Sequence, residues 1–164
     1  MTERLAVLVL GNRNSGKTRT WKTLFGGSVK TGKEIRHLTL KKPECVDVFL
    51  VSGSPEERGV RVSKLVPRPL PRIVLCSVQY RREALETIDF FLKHDYYIYL
   101  QWLNPGYKDA GTQPDSLGLI PFLLYEYATV AIRNGKHHPQ DRAEDIREII
   151  YGWAWNNGLI WTDE

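Results

Sequence analysis

Cysteine is scarce in this chain: Cys45 and Cys76 are the two in 164 residues. Two thiols cannot form a disulfide framework or fill a four-ligand zinc site. Both lie beside or within apolar runs, where cysteine behaves as a small hydrophobe. Long apolar runs are missing too. The longest near-apolar stretch, 117–127, is too short to cross a bilayer and contains Pro121 and Glu126. No basic-then-apolar leader opens the chain, and there is no low-complexity tract or internal repeat. These absences argue against disulfide-stapled, zinc-bound and membrane-spanning classes and predict a soluble, cytoplasmic protein. What remains is ordinary for a globular chain, 42% hydrophobic and 26% charged. The length predicts a single domain, 1–164, with a core that needs no staples.

Charge of one sign is scarce in each half. The net charge is +4, but residues 1–82 sum to +11 and residues 83–164 to −7. Such asymmetry fits a polyanion bound by the first half: a nucleoside triphosphate, a nucleic acid or an acidic protein partner. A solvated basic face is the simpler alternative.

The apolar run Leu5–Leu10 is short, continuous and followed by Gly11, as expected of a strand buried on both faces. A polar, glycine-bounded loop, 11–16, leads into a predicted helix, 17–25, stopped by Gly26 and Gly27. Residues 35–40 and 46–51 read as strands around the turn 41–44, a link too short for a parallel crossover and so an antiparallel hairpin. Residues 52–72 are irregular, with Pro55, Pro67, Pro69 and Pro71. A strand resumes at Ile73–Cys76. Leu85, Ile88 and Leu92 then mark an amphipathic helix over about 81–93. An aromatic strand at 96–103, a helix at 117–125 and a strand at 128–132 follow. A last helix is expected from Asp141, with Asp141 and Glu144 as a capping box and Ile146, Ile149, Ile150 and Trp153 as its buried stripe. The alternation predicts an α/β three-layer sandwich, its sheet mostly parallel with one early antiparallel hairpin.

Gly11-Asn12-Arg13-Asn14-Ser15-Gly16-Lys17-Thr18 matches G-x-x-x-x-G-K-[ST], between a predicted buried strand and a helix start. Glycines permit backbone torsions that side chains forbid, so the loop can turn several N–H groups inward onto phosphate oxygens. The following helix aims its positive end at the same point. Lys17 is the candidate catalytic residue, reaching the β- and γ-phosphates. Gly11 to Thr18, with Arg19 after them, are the candidate binding residues, and the Thr18 hydroxyl is the candidate Mg²⁺ ligand.

On these residues the chain resembles the P-loop NTPase superfamily, and within it the small Era-like GTPases. The likeness rests on residues 5–25, including Leu24-Phe25-Gly26 after the loop, and on the order loop, helix, polar segment, hairpin, alternating strands and helices. It implies a P-loop-type fold, ATP or GTP with Mg²⁺ as ligand, and a first switch over 28–34 with Thr31 as its magnesium-sensing residue. Two family motifs are missing. The Asp-x-x-Gly expected after the hairpin is replaced by Val51-Ser52-Gly53-Ser54-Pro55-Glu56-Glu57, and Asp47 lies at the wrong end of its strand. Glu56 or Glu57 could stand in for it, though solvated surface acids are the simpler reading. The guanine-reading Asn-Lys-x-Asp is also absent: Asn104 is followed by Pro105-Gly106, with Lys108-Asp109 out of register. Residues 133–136 could approach a base or merely link a strand to a helix.

Arg58, Arg61, Lys64, Arg68, Arg72, Arg81 and Arg82 gather in the irregular middle. They suit a lid over transferred phosphates or a surface for nucleic acid or protein, or an ordinary solvated loop. His137 and His138 are adjacent and lack a third ligand nearby, so a metal pair is not expected. Trp102, Trp153 and Trp155 read as core, and Trp21 as packing the first helix on the sheet. The expected function is a nucleoside-triphosphate-binding P-loop protein, a weak or divergent NTPase acting as a switch. The alternatives are a nucleotide-kinase-type phosphotransferase with an arginine-rich lid, and a nucleotide-regulated adaptor or nucleic-acid-associated module.

Overall fold

The structure is a computed structural model that describes residues 3–29, 32–103 and 115–163. Its strands are β1 (Arg4–Gly11), β2 (Arg36–Lys41), β3 (Glu44–Val51), β4 (Ile73–Gln79), β5 (Tyr96–Leu103), β6 (Thr129–Arg133) and β7 (Trp161–Thr162). The helices are α1 (Lys17–Phe25), α2 (Pro55–Arg58), α3 (Val62–Leu65), α4 (Ala84–Lys93), α5 (Leu119–Tyr125) and α6 (Pro139–Asn156). The spatial strand order is β2-β3-β4-β1-β5-β6, with β7 beside β3. β1 runs parallel to β4 and β5, β3 to β4, and β5 to β6. β2 and β7 are both antiparallel to β3, with Cys45 paired to Thr39 on one side and Trp161 on the other. The fold is therefore α/β with a mostly parallel sheet and an early antiparallel hairpin, as expected.

β1 explains why the sheet needs cover on both faces. Leu5, Val7 and Val9 enter one core with Trp21 and Leu24 of α1 and Ala143, Ile146 and Ile150 of α6. Ala6, Leu8 and Leu10 enter the other with Val62 of α3, Ile88 and Phe91 of α4 and Leu123 of α5. None of these six β1 side chains is exposed at all. Fully burying one aliphatic side chain of this kind contributes roughly 1.5–3 kcal/mol. Across the sheet, the Trp21 indole N–H donates to Ser77 Oγ on β4 at 2.7 Å and pins α1 in place.

Several expectations need correction. α6 begins at Pro139 after a left-handed His138 (φ 51°), and the Asp141–Glu144 capping box does not form. Proline at the first helical position has no N–H to leave unpaired, and that sets the start. The buried stripe of α6 is Arg142, Ala143, Ile146, Ile150 and Ala154; Ile149 lies outside it and Trp155 is exposed. Residues 52–72 are not uniformly irregular, because α2 and α3 each form one turn there. β7 has two residues, too few for a periodic signal. Among the described residues no helix is long and apolar enough to cross a membrane.

Candidate functional site

The carboxyl ends of β1, β3 and β4 meet where the glycine-bounded loop leaves the sheet, the edge at which open α/β sheets place ligands. Gly11 ends β1, and α1 starts at Lys17 after Gly16, whose φ of 114° a side chain would strain. Asn14 also holds a positive φ, 63°. Neither glycine position has room for a side chain. A Cβ on Gly11 would lie 2.2 Å from Ser15 Oγ, and one on Gly16 would lie 2.2 Å from the Gly135 carbonyl oxygen. The Ser15 N–H donates to the Asn12 carbonyl at 3.1 Å and closes the turn.

The loop borders a cavity of about 470 Å³ lined by Arg13, Asn14, Ser15, Gly16, Lys17, Thr18 and Arg19 on one side. Ser52, Gly53, Ser54 and Glu57 from the end of β3 and the start of α2 form the other side. Lys17 is buried. Its ammonium donates to the carbonyls of Gly11 (3.1 Å) and Asn12 (2.9 Å) and to Gln79 Oε1 at the end of β4 (3.0 Å). Glu57 Oε1 lies 3.8 Å from the same nitrogen. Thr18 and Arg19 are exposed at the mouth.

The two glutamates after β3 are not simply surface acids. Ser54 Oγ caps α2 by accepting from the Glu57 N–H at 3.2 Å, and it donates to Glu57 Oε1 at 2.9 Å. That turn holds the Glu57 carboxylate on the cavity wall. Glu56 faces away from the cavity. Its carboxylate accepts from the Gln79 N–H at 2.7 Å and from the Thr87 hydroxyl of α4. Burial raises the Glu56 pKa, against the opposing pull of those hydrogen bonds and of the Lys17 charge. Gln79 therefore joins Glu56 through its backbone to Lys17 through its side chain.

The back of the loop rests on the β6–α6 connection. Lys136 Nζ donates to the Asn14 carbonyl at 2.7 Å. Arg142, 1% exposed, donates from Nε to Thr20 Oγ1 (2.7 Å) and from Nη2 to the carbonyls of Gly16 and Gly135 (3.2 Å each). Its Nη1 donates to the carbonyls of Asn134 and His137, also at 3.2 Å each. Residues 134–136 thus pack against the glycine-bounded loop, while Arg133 pairs with Asp145.

Other candidates lie elsewhere. Asp47 is on the exposed face of the hairpin, bonded to His37 at 2.7 Å and to the Trp161 indole at 3.0 Å. The ring centres of His137 and His138 are 6.4 Å apart, and no cluster of three or more His, Cys, Asp or Glu able to hold a metal exists among the described residues. Of the basic middle segment, Arg58 lays its stem against Gly53 at the cavity rim. Arg61 pairs with Glu86, Arg72 donates to the Glu3 carbonyl and stacks near Trp153, and Arg81 reaches the Glu56 carbonyl. Thr31, Asn104, Lys108 and Asp109 lie outside the described residues.

Sequence reasoning missed Gln79, Ser54 and Arg142. Gln79 carried a faint signal, a polar residue closing an otherwise apolar strand. Arg142 carried none, since a lone arginine after a helix start reads as solvated. No protein-family model and no curated protein matches the chain.

Proposed function

We propose that this chain is a nucleoside-triphosphate-binding protein of P-loop type, taking ATP or GTP with Mg²⁺, and a weak or divergent NTPase acting as a switch. One observation carries the reading: the G-x-x-x-x-G-K-T segment joins a buried parallel strand to a helix N-terminus and lines a 470 Å³ cavity with Lys17 set in its wall. In this reading the loop amides, the α1 dipole and the Lys17 ammonium would act together on one bound anion. The oxygen donors around the cavity suit a hard cation. Thr18 on one side and Glu57 on the other would hold Mg²⁺, with the triphosphate and water completing its shell. Bound there, the metal would neutralise charge on the phosphates.

In this reading Glu57, besides its part in holding the metal, would orient an attacking water. It also neighbours Lys17 and is tied to Ser54, so turnover is slow in this reading. Binding draws Lys17 off Gln79 and the loop carbonyls, and that exchange is the switching event.

The test is a binding panel of ATP, GTP and their diphosphates, with and without Mg²⁺, on wild type and Lys17→Ala. Triphosphate affinity falls by about tenfold or more in the variant, ~1.4 kcal/mol or above. Equal affinity in a variant whose thermal melting shows a folded chain removes the proposal. Release of ADP only with an acceptor present would favour phosphotransfer instead.

A further inference from the structure

Among the described residues Arg142 is the largest buried charged side chain, and none of opposite sign meets it. Its five N–H donors find five acceptors, four carbonyls and one hydroxyl, all neutral. None of the ion pairs among the described residues includes it. Burial, together with the nearby charge of Arg19, lowers its pKa from the ordinary 12.5 to about 10. It stays protonated at neutral pH, so a buried cation sits among neutral acceptors, with no carboxylate partner among the described residues. That arrangement costs stability unless something offsets it.

The hydrogen bonds indicate where the offset comes from. The Gly16 carbonyl accepts from Arg142 Nη2 (3.2 Å), from the Thr20 N–H (3.0 Å) and from Thr20 Oγ1 (2.9 Å). In a trans peptide the C=O and N–H point opposite ways. Three donors drawing the Gly16 oxygen back along α1 therefore turn the Lys17 N–H outward, beyond the helix N-terminus, where Gly16 and Lys17 line the cavity. The guanidinium polarises that peptide and adds a full charge one peptide behind the wall.

We infer that Arg142 is a positioning residue for the anion site: it fixes the Gly16–Lys17 peptide and is the buried countercharge of the polyphosphate bound in front of it. This rests on the triphosphate reading and deepens it. It also explains why the β6–α6 connection is held to the loop, because the same guanidinium ties Asn134, Gly135 and His137 to Gly16.

The probe is inorganic tripolyphosphate, which isolates the phosphate site from base recognition. Wild type, Arg142→Lys and Arg142→Gln are titrated calorimetrically, with folding checked by thermal melting. Arg142→Gln binds about tenfold weaker or worse, while Arg142→Lys, which keeps the charge and loses most of the fork, recovers a clear part of that loss. A merely structural role weakens both variants alike, and that result overturns the inference, as does wild-type affinity in Arg142→Gln. Wild type that binds no tripolyphosphate overturns the triphosphate reading itself. A second measurement needs no variant. The buried Arg142 Nε–H should give a slowly exchanging ¹⁵N resonance that shifts as tripolyphosphate saturates the wild-type chain. A resonance unmoved at saturation sinks the inference even if the variants fail to fold.

Discussion

Gln79 carries two messages at once. Its backbone N–H is held by Glu56, and its side chain holds Lys17. The protonation of Glu56 is thereby felt one residue from the candidate site. Burial holds the Glu56 carboxyl above its ordinary value of 4.5, so the native chain binds that proton more tightly than the unfolded chain. The contribution of Glu56 to stability is then greatest below the unfolded value and is lost as pH rises through the raised one. Glu56→Gln keeps an acceptor for the Gln79 N–H and removes the charge, and its amide N–H can donate to the Thr87 hydroxyl, which donates to the carboxylate in wild type. The variant should be more stable than wild type in urea at pH 7, and the gap should close as pH is lowered toward 4. A gap that widens on acidification contradicts this account. No sequence pattern announced the role, since Glu56 reads as a loop acid until β4 is known to end beside it. The glycine-bounded motif was legible for the opposite reason: its residues are contiguous, and each follows from local backbone geometry.

At the scale of elements, α2 is a single turn whose existence rests on its cap. Ser54 is fully buried and meets both the N–H and the carboxylate of Glu57. Ser54→Ala should cost about 1 kcal/mol in urea unfolding. It should also release Glu57 from the wall and change the Mg²⁺ dependence of triphosphate binding. An unchanged midpoint would mean that the turn is held by Pro55 and its neighbours instead. Elements with a clear period and clear stops were readable in advance: β1, α1, the β2–β3 hairpin, α4 and β5. Those without were not. α2, α3 and β7 are shorter than the window in which periodicity can be counted. The start of α6 was misread because an acid spaced like a cap outweighed proline at the first helical position.

At the scale of the whole molecule, the strand order was the least readable feature. Periodicity tells which residues face a core but not which strand stands beside which. β4 lies between β1 and β3, and that brings Gln79 to Lys17 across 62 positions of sequence. The three central strands β4, β1 and β5 are almost wholly buried, whereas β2 alternates and β6 is largely open. Amide exchange should accordingly be slowest in β4, β1 and β5, and faster in β6, β7 and β2. Protection in β6 equal to that in β1 would place the stable nucleus elsewhere.

Because the two sides of β1 are equally greasy from Leu5 to Leu10, the alternation of polar and apolar residues does nothing to set the register of its interior. Between the polar contacts at its two ends its alignment is policed by volume: Ala6, Leu8 and Leu10 against one set of neighbours, Leu5, Val7 and Val9 against the other. Enlarging Ala6 would therefore move more than a local contact. It would strain the fit that seats the glycine hinge at the strand's end, and with it the loop proposed to meet a phosphate.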